Sequence, residues 1–131
     1  MTHPIVQLQV ALVTALEADE ALVELIGEGG VFDAPPQNRP APYVVIDRHD
    51  MRQADGDGTP GQEHRLLIHC WADRASRKAA LEIAERVVTA RLGLEPEGLA
   101  VTLAEHVRTE TVIDAATGQA RAAVLLRFLS E

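Results

Sequence analysis

The 131-residue sequence has little of several features that mark particular classes of protein. Its single cysteine, Cys70, excludes an intramolecular disulfide framework. Its four aromatic side chains are too few for a platform on which the bases of single-stranded nucleic acid could stack. No apolar run approaches the roughly 18 residues of a membrane span, and no basic segment precedes the first apolar residues. We therefore expect a soluble protein of a reducing compartment that is not secreted and has no membrane partner.

Positive charge is also scarce. The chain carries 20 acidic and 12 basic side chains, for a formal net charge of −8, and the basic residues are scattered along the sequence. Because tight, sequence-neutral binding of DNA needs a basic surface that neutralises phosphates, this function is disfavoured. The acidic excess is also the ordinary means of keeping a small protein soluble.

Spacing and capping residues indicate the helices. Pro4 suits a first helical position, and apolar residues recur after it at helical spacing as far as Leu16. Because several valines widen its apolar surface, this first helix is expected to be covered on two sides. Asp19 can cap a short second helix, and Ser76 can cap a third helix that runs to about Leu92.

Strand composition appears in four segments, which are YVVIDRH, EHRLLIHCWA, the stretch from Val101 to about Ile113, and ARAAVLLRFL after the turn DAATGQ. Four prolines hold Pro35 to Pro42 extended ahead of the first of them. The order of elements is about ααβββαββ, in which these four segments account for all but one of the strands. This order predicts an α+β fold, a mainly antiparallel sheet packed by helices, in one domain over residues 1–131.

The strand EHRLLIHCWA is apolar on both faces. Leu66 and Ile68 share one face, while Leu67 and Trp71 share the other. We therefore expect cover on both faces of the sheet, with Leu67 and Trp71 under a helix.

The stretch ADGDGTPGQE resembles a calcium loop only in part. With Gly58 as the required glycine, Asp55 and Asp57 stand at the third and fifth positions of such a loop. The first and twelfth positions, however, hold Gln53 and His64 instead of carboxylates. The closing carboxylate, Glu63, falls one residue early, so the bidentate clamp is missing. Calcium binding is not predicted.

Five histidines raise the question of a transition-metal site. His49 and His64 could face each other across a hairpin and supply two of the three or four ligands that zinc requires. Cys70 shares a strand face with His64 but lies roughly 20 Å away along an extended chain, and His69 points to the other face. A small α+β metal-binding enzyme domain using His49, His64 and His69 remains an alternative.

Residues suited to nucleophilic or acid–base catalysis lack a supporting context. Cys70 lies among apolar neighbours, where a thiol is usually inert. Ser76 and Ser130 lie outside any nucleophile elbow, and Asp55 and Asp57 belong to a loop. Neither a phosphate loop nor a dinucleotide-binding motif is present. The sequence predicts that the protein is not an enzyme and needs no cofactor.

Several segments together resemble the tail-completion family of siphophages, prophages and gene transfer agents. They are VQLQVALVTALEADEALVELIG, VFDAPPQNRPAPYVVI, EHRLLIHCWAD, SRKAALEIAERVVTARL and AAVLLRFLSE. The resemblance covers nearly the whole chain. The proline-rich approach to a strand, followed by His-Arg before an apolar strand with a late tryptophan, is its most specific part.

The resemblance implies a structural subunit of a particle, either a phage virion or a gene transfer agent, assembled in the host cytoplasm. Such a tail terminator, or tail-to-head joining protein, forms a hexameric ring that ends growth of the tail tube. The implied partners are further copies of the chain, the tail-tube protein and a neck or head-completion protein, while DNA passes through without specific binding. A head-side neck adaptor is the alternative within this class.

In such a ring, the polar connection from Met51 to Gln62 is a candidate functional segment, since uncommonly long loops in compact domains are usually functional or disordered. We expect it to contact a neighbouring subunit or to line the lumen, and a loop without any partner is the competing interpretation. The residues suspected of this role are Arg48, Asp50, Arg52, Asp55, Asp57, Glu63 and Arg65.

Overall fold

A computed structural model describes residues 2–54 and 61–131 of the chain. Within these residues the helices are α1 Pro4–Glu17, α2 Glu20–Ile26 and α3 Arg77–Ala90, the last followed by a 3-10 turn at Arg91–Gly93. The strands are β1 Val31–Phe32, β2 Tyr43–Gln53, β3 Gln62–Trp71, β4 Val101–Ile113 and β5 Ala120–Ser130. The predicted α+β class and the order ααβββαββ are confirmed.

The five strands form one sheet in the order β1-β2-β3-β5-β4. The short β1 runs parallel to β2, and every other neighbouring pair is antiparallel. The central strands β3 and β5 are paired along their whole length, from Gln62 opposite Ser130 to Trp71 opposite Arg121. The sheet is therefore mainly antiparallel, and its strand pairing is uninterrupted only between the central strands β3 and β5 among the long described strands.

Capping side chains begin the helices where the sequence predicts them. The imidazole of His3 accepts a hydrogen bond from the backbone of Ile5 ahead of α1. Asp19 accepts from Leu22 at the start of α2, and Ser76 accepts from Ala79 at the start of α3. These bonds satisfy backbone N–H groups that lack partners within a first helical turn. Among the described residues, no helix is long and apolar enough to span a membrane.

One hydrophobic core lies between the helices and a single face of the sheet. It combines the inward residues of α1 and α3 with alternate residues of β3 and β5, among them Leu8, Leu12, Leu16, Ile83, Val87, Leu66, Ile68, Val124, Leu126 and Phe128. The alternation of side chains in a strand explains this selection, because every second residue of β3 and β5 faces the helices.

The prediction of helical cover on both faces of the sheet is wrong. Leu66 and Ile68 are fully buried in the core, whereas Leu67 and Trp71 are only half-buried on the opposite face and do not belong to the core. Neighbouring strands cover these two side chains in part. The apolar residues on both faces of β3 correctly indicated a strand within a sheet, but they did not show that helices cover only one face of that sheet.

The expectation that α1 is covered on two sides is wrong for the described chain as well. Leu8, Leu12 and Leu16 face the core, while Val6 and Val10 keep 46% and 60% of their surfaces exposed. The helix lies in the outer layer of a two-layer fold, so only one stripe meets the sheet.

The connection between β2 and β3 is shorter than the predicted segment Met51 to Gln62. Met51 and Gln53 are still paired with β3, and Ala54 donates a backbone hydrogen bond to the carbonyl of Gly61 at 3.0 Å. Asp55 and Asp57 lie outside the described residues.

Candidate functional site

The candidate site is the open face of the sheet, defined as the face of β2, β3, β5 and β4 opposite the helices. An irregularity between Ile46 and Arg48 resets the alternation of β2. As a result, Arg48, Asp50 and Arg52 project from this face, although Val44 and Ile46 point into the core. A bulge of this kind re-aims the side chains that follow it.

A row of four residues crosses the middle of the open face. Arg48 on β2 lies opposite Leu67 on β3, Leu67 lies opposite Leu125 on β5, and Leu125 lies opposite Arg108 on β4. Both leucines are half-buried and both arginines are exposed. We call these four residues the central row. Within the described part of the chain, neither arginine has an ion-pair or side-chain hydrogen-bond partner, so both guanidinium groups are available to another molecule.

A buried carboxylate surrounded by arginines lies on the same face, four residues along β3 from Leu67 of the central row. Glu63 keeps only 6% of its side chain exposed, and its two oxygens accept hydrogen bonds from Arg52 Nε at 2.7 Å and Arg127 Nε at 2.6 Å. A third arginine, Arg65, lies 3.5 Å from the same carboxylate. The hydrogen bond from Arg127 and then that from Arg52 hold the pKa of Glu63 below its usual range, against the opposing effect of burial.

The structure brings together part of the residue set suspected from the sequence. Arg52, Glu63 and Arg65 form one cluster, whereas Arg48 and Asp50 share the face without an ion pair to it. Arg127 was missed, since it lies 64 residues after Glu63 in the chain and reaches it through the pairing of β3 with β5. The only signal for it was an arginine at an outward position of the last strand. Asp55 and Asp57 fall outside the described residues.

Aromatic side chains occupy one end of the open face. Tyr43 lies opposite Trp71, and the guanidinium carbon of Arg121 lies 5.9 Å from the centre of the Trp71 ring. Such a cation over an aromatic ring is favourable. The open face therefore combines half-buried apolar surface with arginines, the composition in which interfaces are enriched.

The helical side of the sheet holds a buried polar network. His49 and His64 face each other across the hairpin as predicted, with His49 Nε2 at 2.9 Å from His64 Nδ1. Gln9 Nε2 lies 3.2 Å from His49 Nδ1, and His64 Nε2 lies 3.1 Å from Ser130 Oγ, whose hydroxyl donates to Gln62 Oε1 at 3.0 Å. When both imidazoles are neutral and protonated at Nε2, every bond is satisfied in one direction. Gln9 donates to His49, His49 donates to His64, and His64 donates to Ser130.

Burial disfavours the charged form of both histidines. It lowers the pKa of His49 to about 4, with a smaller contribution from the neighbouring His64, and it lowers the pKa of the fully buried His64. The network is thus a neutral set of hydrogen bonds that fixes β2, β3, β5 and α1 relative to one another.

The three histidines of the metal-binding alternative do not form one site. His69 lies on the open face, 3.7 Å from Asp47, while His49 and His64 lie on the helical face. Among the described residues, no three His, Cys, Asp or Glu side chains are placed to hold a metal ion together. Cys70 is fully buried, and burial raises the pKa of its thiol to about 12, which disfavours the reactive thiolate.

Comparisons with known proteins give one family model and two similar solved structures. A family model described as "Tail completion protein gp17" matches residues 10–131. No curated protein sequence matches the chain. The structure is similar to that of the bacteriophage SPP1 gp17 protein, with 26% sequence identity, a TM-score of 0.60, and coverage of 92% of this chain and 86% of that one.

A second similar structure is a chain from the virion of a native gene transfer agent particle. Its TM-score is 0.85, the sequences are 24% identical, and the likeness covers 99% of each chain. At this identity the likeness supports the fold alone.

Proposed function

Because this chain belongs to the tail completion protein gp17 family, we propose that it is a tail terminator, or tail-to-head joining subunit. Membership of the family makes it a structural protein of a phage-type tail, located in the tail or neck of a virion-like particle. The finer proposal is that one domain, residues 1–131, assembles into a closed ring of six subunits that stops growth of the tail tube and connects it to the capsid neck.

One observation carries the proposal of a ring. A broad sheet face with half-buried leucines, an exposed unpaired arginine at each end of the central row and a buried ion cluster has no helical cover in the described chain. An antiparallel sheet can leave one face in water, but half-buried leucines beside unpaired arginines match the composition in which protein interfaces are enriched. The family assignment makes the partner another copy or a neighbouring tail protein.

The proposed partners follow from the position of such a ring. One side of the ring meets the tail-tube protein and the other meets a neck or head-completion protein, while DNA passes through the centre without specific binding. The acidic excess of the chain, a net charge of −8, supports passage over binding, because like charges repel phosphate. We propose no catalytic activity and no cofactor.

The test is assembly with the tail-tube protein. Six copies of the 14.2 kDa chain give about 85 kDa, and native mass spectrometry should detect this species alone or on capped tube ends. Negative-stain images should show tubes of uniform length in its presence and overlong tubes in its absence. Monomers with no effect on tube length would contradict the proposal, and binding to tail-less heads instead would indicate the head-side adaptor.

We also propose that the connection containing Asp55 and Asp57 faces the lumen or a subunit contact. In this arrangement its carboxylates prevent DNA from adhering, and nearby arginines serve contacts between subunits. Glu63 does not share the repelling role, because its charge is compensated by Arg52 and Arg127. The double variant D55K/D57K should keep the thermal stability of the wild type while reducing DNA delivery. Normal DNA delivery by this variant would show that the carboxylates of this connection have no role in delivery.

A further inference from the structure

We propose that the open face of one copy docks on the α2 surface of the next copy, where the α2 surface is defined as Glu17, Glu20, Glu24 and Glu28 around a shallow concavity. This inference rests on the proposed ring and adds the two surfaces that build it. The contact would place the central row, with Arg48 and Arg108 at its ends, against these glutamates.

The first argument is the uneven distribution of charge. The open face carries six of the 12 basic side chains (Arg48, Arg52, Arg65, Arg108, Arg121, Arg127) and five of the 20 acidic ones (Asp47, Asp50, Glu63, Glu105, Glu110). The remainder of the sequence, in which Asp55 and Asp57 lie outside the described residues, therefore carries six basic and 15 acidic side chains. A chain of net charge −8 thus has one face that is slightly positive, and every other surface is a candidate acidic partner for it.

The second argument selects α2 among the acidic surfaces. Its four glutamates are exposed and surround a concavity of about 610 Å³, lined also by the half-buried Val23 over the buried Leu16 and Ile26. Arg39 lies at one end of this concavity, where its guanidinium donates hydrogen bonds to the carbonyls of Ile26 and Glu28 at 2.7 and 2.8 Å. No other lysine or arginine contributes to the described lining. An acidic rim with an apolar floor is complementary to a row of two leucines flanked by two unpaired arginines, and charge complementarity of this kind selects partners and speeds their encounter.

The third argument is topological. The α2 helix belongs to the helical layer, while the open face is the other side of the sheet, so the two surfaces lie on opposite sides of one subunit. A closed ring requires a heterologous contact in which one patch meets a different patch on the next copy. Two complementary patches on opposite sides meet this requirement, whereas a self-complementary patch would end assembly at a dimer.

Charge reversal on each side tests the contact. The variants R48E/R108E and E24R/E28R each bring like charges together in the proposed interface, so each should raise the concentration for half-assembly at least tenfold at low salt. Both arginines and both glutamates are exposed, so neither variant should lower the melting temperature appreciably. Arginine near the end of α2 is also favourable to the helix dipole.

Mixing the two variants gives a sharper result. In an equimolar mixture, each contact between unlike variants again joins opposite charges, so assembly should be restored to near the wild-type level. Only rings with an even number of subunits can close in strict alternation, and a hexamer satisfies this condition. A single chain that carries all four substitutions should also assemble with itself.

Matched controls reverse the same number of charges elsewhere. R77E/K78E and E82R/E85R change exposed residues of α3, and both should assemble as the wild type does. If wild-type rings form and the two patch variants assemble as well as these controls, or if the mixture is not restored, the docking inference is overturned while the proposed function stands. If the wild type forms no ring even on tube ends, both fail.

Discussion

Glu63 illustrates how one residue acquires its role from strands distant in sequence. Its carboxylate accepts hydrogen bonds from Arg52 and Arg127, and it is almost fully buried although it lies on the face without helices. The sequence places Glu63 near Arg52 and Arg65 in the hairpin, but it suggests a lumen or a contact with another subunit for them and not an ion cluster within one subunit. The contribution of Arg127 depends on the register of β3 against β5, which composition does not reveal.

Replacing Glu63 by glutamine should destabilise the protein. The substitution removes the negative charge that compensates the nearby arginines, and it weakens the hydrogen bonds that Arg52 and Arg127 donate. A hydrogen bond to a charged group contributes about 1.5 to 3 kcal/mol to stability. We expect the free energy of unfolding at pH 7 to fall by about 2 kcal/mol, measured by denaturant unfolding. Glu105 provides the control, because it is 49% exposed and lies 3.9 Å from Arg127. If E63Q and E105Q were equally stable, the cluster would contribute nothing to the fold.

The β3 strand shows what periodicity predicts well and what it does not. Alternation correctly assigned Leu66 and Leu67 to opposite faces, and the hairpin correctly brought His49 near His64. It could not tell which face the helices cover, because an apolar side chain is equally suited to a core and to an interface. Irregularities in β2 after Ile46 and in β4 after His106 also shift the faces of later residues, and no residue type marks them.

Adjacent leucines of β3 allow the two faces to be compared directly. Leu66 is fully buried in the core, so L66A should lower the free energy of unfolding by about 2 to 5 kcal/mol through lost burial and a cavity. Leu67 is half-buried on the open face, and L67A should cost about 1 kcal/mol of monomer stability while weakening ring assembly more strongly. Thermal melts and native mass spectrometry of the two variants measure both effects. Equal melting temperatures would contradict the assignment of the core to one face.

The whole molecule has two layers with different chemistry. The helical layer and one sheet face enclose the core and the neutral histidine network, and the other sheet face carries arginines around half-buried apolar side chains. If the proposed ring forms through the open face, stability and assembly depend largely on opposite faces of the same strands.

The histidine network predicts how the stability of the whole molecule depends on pH. The pKa of His49 is about 4 in the folded protein against an ordinary value of 6.5, and the pKa of His64 is also lowered, so the unfolded chain binds more protons between these values. Stability should be complete above pH 6.5 and should decrease as the pH falls below it. For His49 alone the loss by pH 5 is about 1 to 2 kcal/mol, since each unit of pKa difference corresponds to about 1.4 kcal/mol.

Thermal melts between pH 7.5 and pH 5 measure this dependence while most carboxylates remain ionised. The control variant H49Q keeps a side chain able to donate to His64 but removes one titrating group, so its melting temperature should depend less steeply on pH. The melting temperature of H49Q should still depend on pH, because His64 still has to remain neutral in the core. A wild-type melting temperature that is constant from pH 7.5 to pH 5, or one that rises on acidification, would mean that the two buried imidazoles accept protons in the folded state as readily as they do in the unfolded chain.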